Sequence, residues 1–404
     1  MRFIFITLCL LLYMVKSQAQ PGCTDPQALN FDPSATLNDG SCTYPFTLYP
    51  PPQIAQLPAA LDECSGLAFF SNRLWMHMDA GNLAQLYVID TLTGALLQTV
   101  TIPAAVNNDW EDLAMDDEHL YIGDFGNNAG NRTDLKILRV KKTALTGGVP
   151  IFETIAFSFS DQTDFTPAYN ANNYDCEAFF FWNDSLHLFS KNWLDFKTRH
   201  YVLPAEPGTH VAQLRDSFEV QGQITGADIS PDGKAVLLGY NTSTSEAFLW
   251  LLFDFPGNRF FAGNKRKISL GSALFVSQVE GIAFRGNSAG YICSERFSAL
   301  PQKLLSFDIR QWTENPVTTH HAALPLAATV SPNPFGDAVW ITFAALPVGN
   351  IEITLTDVAG RVLSSWAARP VERLQLNVPG LSPGLYFLHI HTDEGTAVFK
   401  VGRR

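Results

Sequence analysis

The middle of the chain repeats one short phrase five times, and this repeat constrains the fold more than any other feature. In most copies a polar or acidic residue leads through a small residue into an apolar strand. The copies are SGLAFF at Ser65, EDLAM at Glu111, EAFFF at Glu177, TGADIS at Thr225 and EGIAF at Glu280, at intervals of 46, 66, 48 and 55 residues. A tight polar turn and a second apolar strand follow each copy. Antiparallel strands repeated at this spacing are typical of β-propeller blades.

The start of the chain can close the predicted ring. The segment QIAQLPAAL at residues 53–61 closely resembles QTVTIPAAV at residues 98–106, the outermost strand of the first unit. The last unit shows three clear strands, so we expect the N-terminal segment to supply its fourth. We predict an all-β protein with a five-bladed β-propeller, or six blades if the stretch between Glu111 and Glu177 holds another, followed by a small C-terminal β-sandwich.

The chain divides into four zones. Residues 1–19 are typical of a signal peptide, with Arg2, an apolar stretch and a small-residue cleavage site at Ala19. Residues 20–44 form a short acidic segment with too few apolar residues for its own core. Cys23 and Cys42 bracket this segment, and export favours their pairing as a disulfide. Residues 45–315 hold the predicted propeller, and residues 325–404 form another β-rich unit.

The net charge and hydropathy exclude two kinds of partner. The formal net charge is −12 at pH 7. An acidic surface repels phosphate backbones, so we expect no nucleic acid partner, whereas cation binding is compatible with it. The sequence has no long apolar run after the N-terminus, so we expect no transmembrane segment in the mature chain.

The five residues that begin the repeats are the candidate metal ligands. In a propeller each innermost strand starts at one face near the axis, so equivalent first residues form a ring around the channel mouth. The ring consists of Ser65, Glu111, Glu177, Thr225 and Glu280. Its three carboxylates require raised pKa values, basic neighbours or a bound cation. Calcium fits best, because it accepts many hard oxygen ligands in loose geometry.

The second strand of each blade returns to the same face and delivers more polar residues there. Three of them are candidate general bases: Asp79, Asp124 and Glu295. Four others are candidate substrate-binding residues: His77, Lys191, Asn241 and Arg296. The competing interpretation for any one of them is that it simply solvates the end of a loop.

Four motifs follow one another near the C-terminus: SPNPF at Ser331, DVAGR at Asp357, LSPGLYF at Leu381 and the closing FKVGRR. Together they resemble the sorting domain of the type IX secretion system of Bacteroidetes. The resemblance implies the type IX secretion machinery as a partner, translocation across the outer membrane, and surface attachment or release. Alternating strands such as LYFLHI, separated by Gly and Pro turns, favour a β-sandwich. An unrelated adhesive sandwich domain is the alternative.

The segment GCTDPQALNFDPSATLNDGSC resembles a short repeat common in exported proteins of the same bacteria. Asp25, Asn30, Asp32 and Asp39 are candidate oxygen ligands for calcium there. A disulfide-stapled spacer is the favoured interpretation.

The order of ring residues (Ser65, Glu111, Glu177, Thr225 and Glu280) resembles the calcium ligands of the calcium-activated nucleotidase (apyrase) family. That family has a five-bladed propeller with a hydroxyl or carboxylate from each blade. Thr225 stands where the family more often has Ser, which preserves the hydroxyl. The overall sequence pattern is also similar to that of other secreted calcium propellers, including lactonases and phytase-like esterases. The nucleotidase's substrate-binding segments have no full match here.

Two functions follow from these patterns. The first is a secreted or surface-attached binding or adhesion module with calcium at the channel mouth, whose partner is a glycan, a surface protein or an anionic small molecule. The alternative is a calcium-dependent hydrolase of a phosphate ester, a nucleotide or a lactone. The sequence favours binding, because it contains no nucleophile and base with recognisable spacing. A propeller fold by itself does not decide between them.

Overall fold

The computed structural model describes residues 19–314, 328–347, 351–357, 362–392 and 395–404. The signal-peptide prediction therefore lies outside the described residues, apart from Ala19. The chain divides into two compact units, Met1–Thr313 and Glu314–Arg404. None of the described helices has the length and apolar character that crossing a membrane requires.

The first unit begins with a short disulfide-bonded segment. Strands β1 (Pro21–Gly22) and β2 (Leu37–Asn38) pair in parallel, and Cys23 is bonded to Cys42. The chain then reaches strand β3 (Gln53–Gln56), which is part of a later sheet.

The remaining described strands of the first compact unit form a series of four-stranded antiparallel sheets, numbered first to fifth in chain order. The first sheet consists of β4 (Cys64–Phe70), β5 (Arg73–Met78), β6 (Gln85–Ile89) and β7 (Leu96–Thr101). The second consists of β8 (Trp110–Met115), β9 (His119–Asp124), β10 (Lys136–Lys141) and β11 (Phe152–Phe159). The third consists of β12 (Cys176–Trp182), β13 (Ser185–Ser190), β14 (Thr198–Pro204) and β15 (Gly208–Phe218). The last two are β16 (Gln223–Ile229), β17 (Ala235–Asn241), β18 (Glu246–Phe253) and β19 (Asn264–Ser272); and β20 (Gln278–Phe284), β21 (Ala289–Glu295) and β22 (Lys303–Asp308), completed by β3. Strands β11 and β15 pair in parallel, so the outer edges of the second and third four-stranded sheets are hydrogen-bonded to each other.

Strand β3 closes the series, as the similarity between residues 53–61 and 98–106 predicts. It pairs with β22 through Gln56 with Lys303 and Ala55 with Leu304. This pairing gives the fifth sheet its fourth strand and covers an otherwise open edge. The stretch between Glu111 and Glu177 contributes strands to the second four-stranded unit, and the described residues contain no further sheet there.

The hydrophobic cores lie between successive sheets. One cluster packs Trp75 of β5 against Leu113 of β8, and another packs Phe125 against Phe179 of β12. Equivalent clusters join the third sheet to the fourth and the fourth to the fifth. The last cluster packs Met76 of β5 with Leu304 of β22 and so joins the fifth sheet to the first. Sheets packed face to face in a closed series give a propeller-like arrangement.

Short helices connect some of these strands: α1 (Lys142–Gly147), α2 (Ala273–Val276) and α3 (Arg310–Thr313), with 3-10 turns at Ala59–Leu61 and Phe260–Ala262. The second unit contains two sheets. One comprises β23 (Ala328–Ser331), β24 (Ala338–Phe343) and β27 (Arg373–Asn377). The other comprises β25 (Ile351–Thr356), β26 (Val362–Ala368), β28 (Gly384–Thr392) and β29 (Gly395–Arg403). One core, which includes Ile341, Ile353 and Leu388, contains residues of both sheets.

Candidate functional site

A β-bulge at the start of each first strand determines where the predicted ring residues point. In β8, Trp110 pairs with Asp124 and Asp112 pairs with Gly123, so Glu111 is the extra residue between them. The same shift of register occurs around Ser65, Glu177, Thr225 and Glu280. A bulged residue leaves the strand ladder, which re-aims its side chain. One backbone irregularity therefore recurs at every predicted ligand.

Four of the five ring residues line one polar cavity of about 190 Å³: Ser65, Glu111, Glu177 and Glu280. The fifth ring residue, Thr225, is not among the lining residues. Six carboxyl groups in total face the cavity, from Asp79, Asp109, Glu111, Glu177, Glu280 and Glu295. Lys191 is the one basic residue of this lining. The mouth is thus a small, strongly acidic space.

The tightest part of the cavity is a cluster of three carboxyl groups. Asp79, Asp109 and Glu111 each offer an oxygen atom, and these atoms lie within 4.8 Å of one another. Glu111 is only 6% exposed, and in the described part of the chain no donor hydrogen-bonds to its carboxyl group. A Cβ atom at Gly126 would lie 2.0 Å from Glu111 Oε1, so a larger residue in the DFGNN loop would displace the side chains of the cluster.

Burial and mutual repulsion raise the pKa values of the carboxyl groups around the cavity. Burial and then the charge of Glu177 raise the pKa of Glu111 well above its usual value. Burial, followed by the charge of Asp79, raises the pKa of Asp109 to about 7. Burial raises the pKa of Glu280 to about 7, and burial with the charge of Glu280 raises that of Glu295 to about 9. Without a cation, these carboxyl groups therefore retain protons, which reduces the negative charge of the cavity.

Lys191 is held inside the cavity by Glu177. Its Nζ atom donates to both carboxylate oxygens of Glu177, at 2.6 and 2.5 Å, and lies 5.2 and 5.5 Å from the ring centroids of Trp193 and Tyr240. Burial disfavours the charged ammonium, but the contact with Glu177 outweighs it, and the pKa of Lys191 lies well above its usual value. The predicted substrate-binding lysine is thus already paired with a predicted metal ligand.

The two hydroxyl groups of the ring connect neighbouring sheets. Ser65 Oγ donates to the backbone oxygen of Glu111 at 2.6 Å, and Thr225 Oγ1 donates to the backbone oxygen of Val279 at 2.8 Å. Each hydroxyl therefore links one first strand to the next. Ser65 keeps its lone pairs beside the cavity, whereas Thr225 has a structural contact and lies outside the lining.

The structure places two of the predicted second-strand residues in buried structural contacts. His77 is fully buried, with Nδ1 at 3.0 Å from the backbone oxygen of Met78, and burial lowers its pKa to about 4. Its ring is therefore neutral and does not line the acidic cavity. Asp124 is also fully buried, and its oxygens lie 2.9 Å from Arg132 and 3.0 Å from Lys136. A carboxylate held by two cations is a poor general base.

Two further predicted residues lie outside the cavity lining. Asn241 donates to the backbone oxygen of Gln221 and accepts from the backbone of Ser243, which closes a turn. Arg296 is exposed and lies 3.4 Å from Asp62. Of the predicted second-strand residues, the structure brings Asp79, Lys191 and Glu295 to the cavity.

The structure also brings to the cavity several residues that the sequence did not single out as ligands: Asp109, Asn128, Asn170, Trp193, Tyr240 and Gln278. Asp109 lies two residues before Glu111, in the link between sheets, and therefore outside the repeated phrase, which begins at Glu111. Gln278 has the same position relative to Glu280, and its side chain donates to Glu280 at 2.6 Å. A polar residue two positions before the ring residue was the available signal.

The acidic N-terminal segment uses its side chains to close turns. Asp25 accepts from the backbone of Gln27 and from the hydroxyl of Tyr44. Asp32 and Asp39 accept from the residues two positions later, and Asn30 accepts from Thr43. These contacts favour the spacer interpretation over a calcium site in this segment.

A larger cavity, of about 680 Å³, lies at the opposite ends of the first strands. Its lining includes Phe69, Met115, Phe181, Ile229 and Phe284, one from each first strand. It contains none of the predicted site residues. Size alone does not select a site, and the acidic groups converge in the small cavity.

Comparison with known proteins identifies the C-terminal part of the chain. Residues 329–401 match the model of the secretion system C-terminal sorting domain. The matched domain indicates that the protein is secreted or attached to the outer-membrane surface, and its partner in export is the secretion machinery. No curated protein sequence matches the chain.

Among solved structures, the matches have low identity and low TM-scores. A protein of unknown function from Bacteroides caccae is 13% identical, with a TM-score of 0.34, over 61% of this chain and 77% of that one. A GH43 β-1,3-galactosidase is 10% identical, with a TM-score of 0.35, over 80% of this chain and 94% of that one. A β-xylosidase is 12% identical, with a TM-score of 0.34, over 50% and 72%. Similarity at this level says nothing about activity.

Proposed function

We propose that residues 45–315 contain a five-bladed β-propeller that binds a calcium ion at its mouth, and that residues 325–404 form a small β-sandwich. In this proposal the exported protein is a binding or adhesion module that is displayed on the cell surface or released. Calcium makes the mouth competent to bind an oxygen-rich partner such as a glycan, a surface protein or an anionic small molecule.

The observation that carries the proposal is the buried Glu111 carboxyl, which meets Asp79 and Asp109 and has no donor among the described residues. A buried charge without a partner is costly, so the cluster needs either protons or a cation. Carboxylate oxygens alone, without His or Cys, are the donor set that suits calcium. Asp79, Asp109 and Glu111 would hold the ion. Glu177 contributes less, because Lys191 already occupies both of its oxygens.

Bound calcium would neutralise the carboxylates and present open coordination positions to a ligand oxygen. The cavity volume of about 190 Å³ favours this role over the burial of a whole substrate, since typical ligand pockets are about 300–1,000 Å³. Trp193 at the edge of the cavity offers an apolar ring against which a sugar can pack.

Calcium titration of chelator-treated protein tests the proposal. We expect about one calcium ion to bind per chain, with a rise in melting temperature that grows with calcium concentration. Magnesium should bind more weakly, because it demands a stricter octahedral geometry. An unchanged melting temperature in calcium and in chelator would refute the metal site.

Hydrolysis at the same mouth is a second candidate, and the position of Glu295 favours it. This carboxyl lines the same cavity as the carboxyl cluster, and burial with the charge of Glu280 raises its pKa to about 9, so it can donate a proton near neutral pH. A bound calcium ion would supply Lewis-acid polarisation. Turnover of phosphate esters, nucleotides or lactones that is lost in chelator and in Glu295→Gln would support it, whereas attachment to a glycan without turnover would support binding.

A further inference from the structure

Two thiols face each other at the seam between the fifth sheet and the first. Cys64 is the first residue of β4, and Cys293 lies in β21. Both are fully buried and both are free. Because β4 begins the ring and β21 belongs to its last sheet, a bond between them would join the two ends of the closed series.

The thiols reach across the seam in opposite directions. Cys293 Sγ donates to the backbone oxygen of Ser65 at 2.9 Å, and Cys64 Sγ donates to the backbone oxygen of Ser294 at 3.3 Å. Cys293 Sγ also lies 4.0 Å from the backbone oxygen of Cys64 itself. Burial, followed by this neighbouring thiol, raises the pKa of Cys64 well above its usual value.

Gly281 provides the space for this close approach. A Cβ atom at residue 281 would lie 2.2 Å from the backbone oxygen of Ser65 and 2.9 Å from Cys293 Sγ. Gly281 also pairs with Cys293 in the strand ladder. The absence of a side chain thus lets β4 and the Cys293 thiol meet.

The compartment in which the exported chain folds favours oxidation of the two thiols. The sorting domain indicates a secreted or surface-attached protein, and such proteins fold in oxidising compartments where disulfides persist. The same chain carries the Cys23–Cys42 disulfide. We propose that Cys64 and Cys293 form a second disulfide in the exported protein, and that this bond covalently closes the ring of sheets.

The oxidation is a balanced exchange. The two thiols lose two protons and two electrons as their S–S bond forms, while the disulfide of a thiol–disulfide oxidoreductase breaks and becomes a dithiol. Since both thiols are buried in the folded ring, the exchange takes place before the seam has closed.

The bond would reinforce a short non-covalent closure. Strand β3 joins β22 through only a few residue pairs, with Gln56 and Ala55 opposite Lys303 and Leu304. The cysteines are 229 residues apart, so their bond would restrict a very long loop of the unfolded chain. It would also fix Ser65 and Glu295, which neighbour the two cysteines and line the acidic cavity.

Thiol labelling of the exported protein tests the proposal directly. The protein is collected from the cells that secrete it, denatured without reductant, alkylated with iodoacetamide, digested and analysed by mass spectrometry. We expect label on Cys176 and a linked peptide pair containing Cys64 and Cys293, two hydrogen atoms lighter than the separate peptides. Label on both Cys64 and Cys293 would overturn the proposal. Cys176 is the internal control, because its Sγ atom contacts the backbone oxygen of Phe189 instead of a thiol.

A matched pair of variants measures the effect of the bond. Without reductant, the double variant Cys64→Ser, Cys293→Ser should melt about 5 °C or more below the wild type. Reductant also breaks the Cys23–Cys42 disulfide in both proteins, so in reductant the two should melt close to one temperature. Cys176→Ser reports the cost of losing one buried thiol without a bond. An equal loss in both variants, with a gap between the double variant and the wild type that reductant leaves unchanged, would contradict the role in ring closure. If the double variant does not fold, the labelling of the wild type decides alone.

Discussion

Residues at equivalent positions of the repeat have different roles at the mouth of the ring. Glu111 and Glu177 hold equivalent positions, yet Glu111 meets two other carboxyl groups while Glu177 holds Lys191. The difference arises because Asp79 and Asp109 stand beside Glu111, and a basic second-strand residue stands beside Glu177. Among the described lining residues, the Glu111 side of the cavity therefore lacks a compensating positive charge, whereas the Glu177 side already contains one.

Removal of the Glu111 charge should weaken calcium binding. We expect Glu111→Gln to raise the calcium dissociation constant by about tenfold or more, because an amide replaces a charged ligand at the centre of the cluster. Isothermal titration calorimetry on chelator-treated protein measures this. Glu153→Gln, at a side chain that is 57% exposed on β11, is the matched control and should bind like the wild type. Equal affinity for both variants would exclude Glu111 as a ligand.

Removal of the Lys191 charge should have the opposite effect. Lys191→Met keeps an apolar stem but releases Glu177 and makes the cavity more negative, so calcium should bind more tightly, by about tenfold. In chelator the same variant should melt at a lower temperature, because a buried carboxylate loses its partner. Unchanged affinity would mean that the Glu177–Lys191 pair is independent of the metal site.

The sequence predicted the acidic character of the mouth and several of its residues, but not their pairings. Glu111, Glu177 and Glu280 follow from the repeat, and Asp79 and Glu295 from the return of the second strand. His77 also follows the second-strand rule, yet it packs at 5.8 Å from Trp110 between sheets. Alternation along a strand determines which side chain faces the axis. The bulge changes that alternation, and no residue type in the sequence indicates the change.

At the scale of elements, the first strands are tied to one another by buried aspartates as well as by hydroxyl groups. Asp112 Oδ2 in β8 accepts from the backbone of Phe179 at 3.1 Å and of Ala227 at 3.2 Å, so one carboxyl joins three sheets. Asp228 repeats the motif by accepting from the backbone of Phe284 at 2.7 Å. The Asp112 contacts lie just after the bulges, whereas the Asp228 contact joins the opposite ends of β16 and β20.

Loss of the Asp112 carboxyl should destabilise the ring more than any surface change. Asp112→Ala removes the carboxyl that accepts from three buried backbone N–H groups, those of Leu113, Phe179 and Ala227, which costs about 2–4 kcal/mol of unfolding free energy. Urea denaturation followed by circular dichroism measures it. Asp117→Ala, at an exposed position nearby, should change the stability by less than about 0.5 kcal/mol. A similarly small change for Asp112→Ala would show that the three sheets do not depend on this carboxyl.

The sequence predicted these elements better than their irregularities. The apolar phrase and polar turn of each repeat locate the first two strands, and the resemblance between residues 53–61 and 98–106 predicted the role of β3. The parallel pairing of β11 with β15 and the turns that bring Asn128 and Asn170 to the cavity lie in the insertion between Glu111 and Glu177. That stretch breaks the spacing of the repeat, so the pattern held no information about it.

At the scale of the molecule, the acidic mouth couples stability to pH. Burial raises the pKa values of Asp109 and Glu280 to about 7 and that of Glu295 to about 9, above the ordinary values of 3.8 and 4.5. In this window the folded protein binds more protons than the unfolded chain, so its stability is greatest below the unfolded pKa values and falls as the pH rises through the folded ones.

This linkage predicts that calcium matters most at high pH. In chelator the melting temperature should fall between about pH 5 and pH 9, and calcium should reduce that fall, because it takes the place of the protons. Differential scanning calorimetry at several pH values, with and without calcium, measures both trends. A melting temperature in chelator that rises over this range would contradict the cause assigned to the raised pKa values.

A crystal structure of the protein grown in calcium chloride, with anomalous data collected at long wavelength, tests the central claim most directly. We expect an anomalous peak in the mouth with oxygens of Asp79, Asp109 and Glu111 at about 2.3–2.6 Å. A cavity without such a peak, with these three carboxyl groups turned away from one another, would contradict the account.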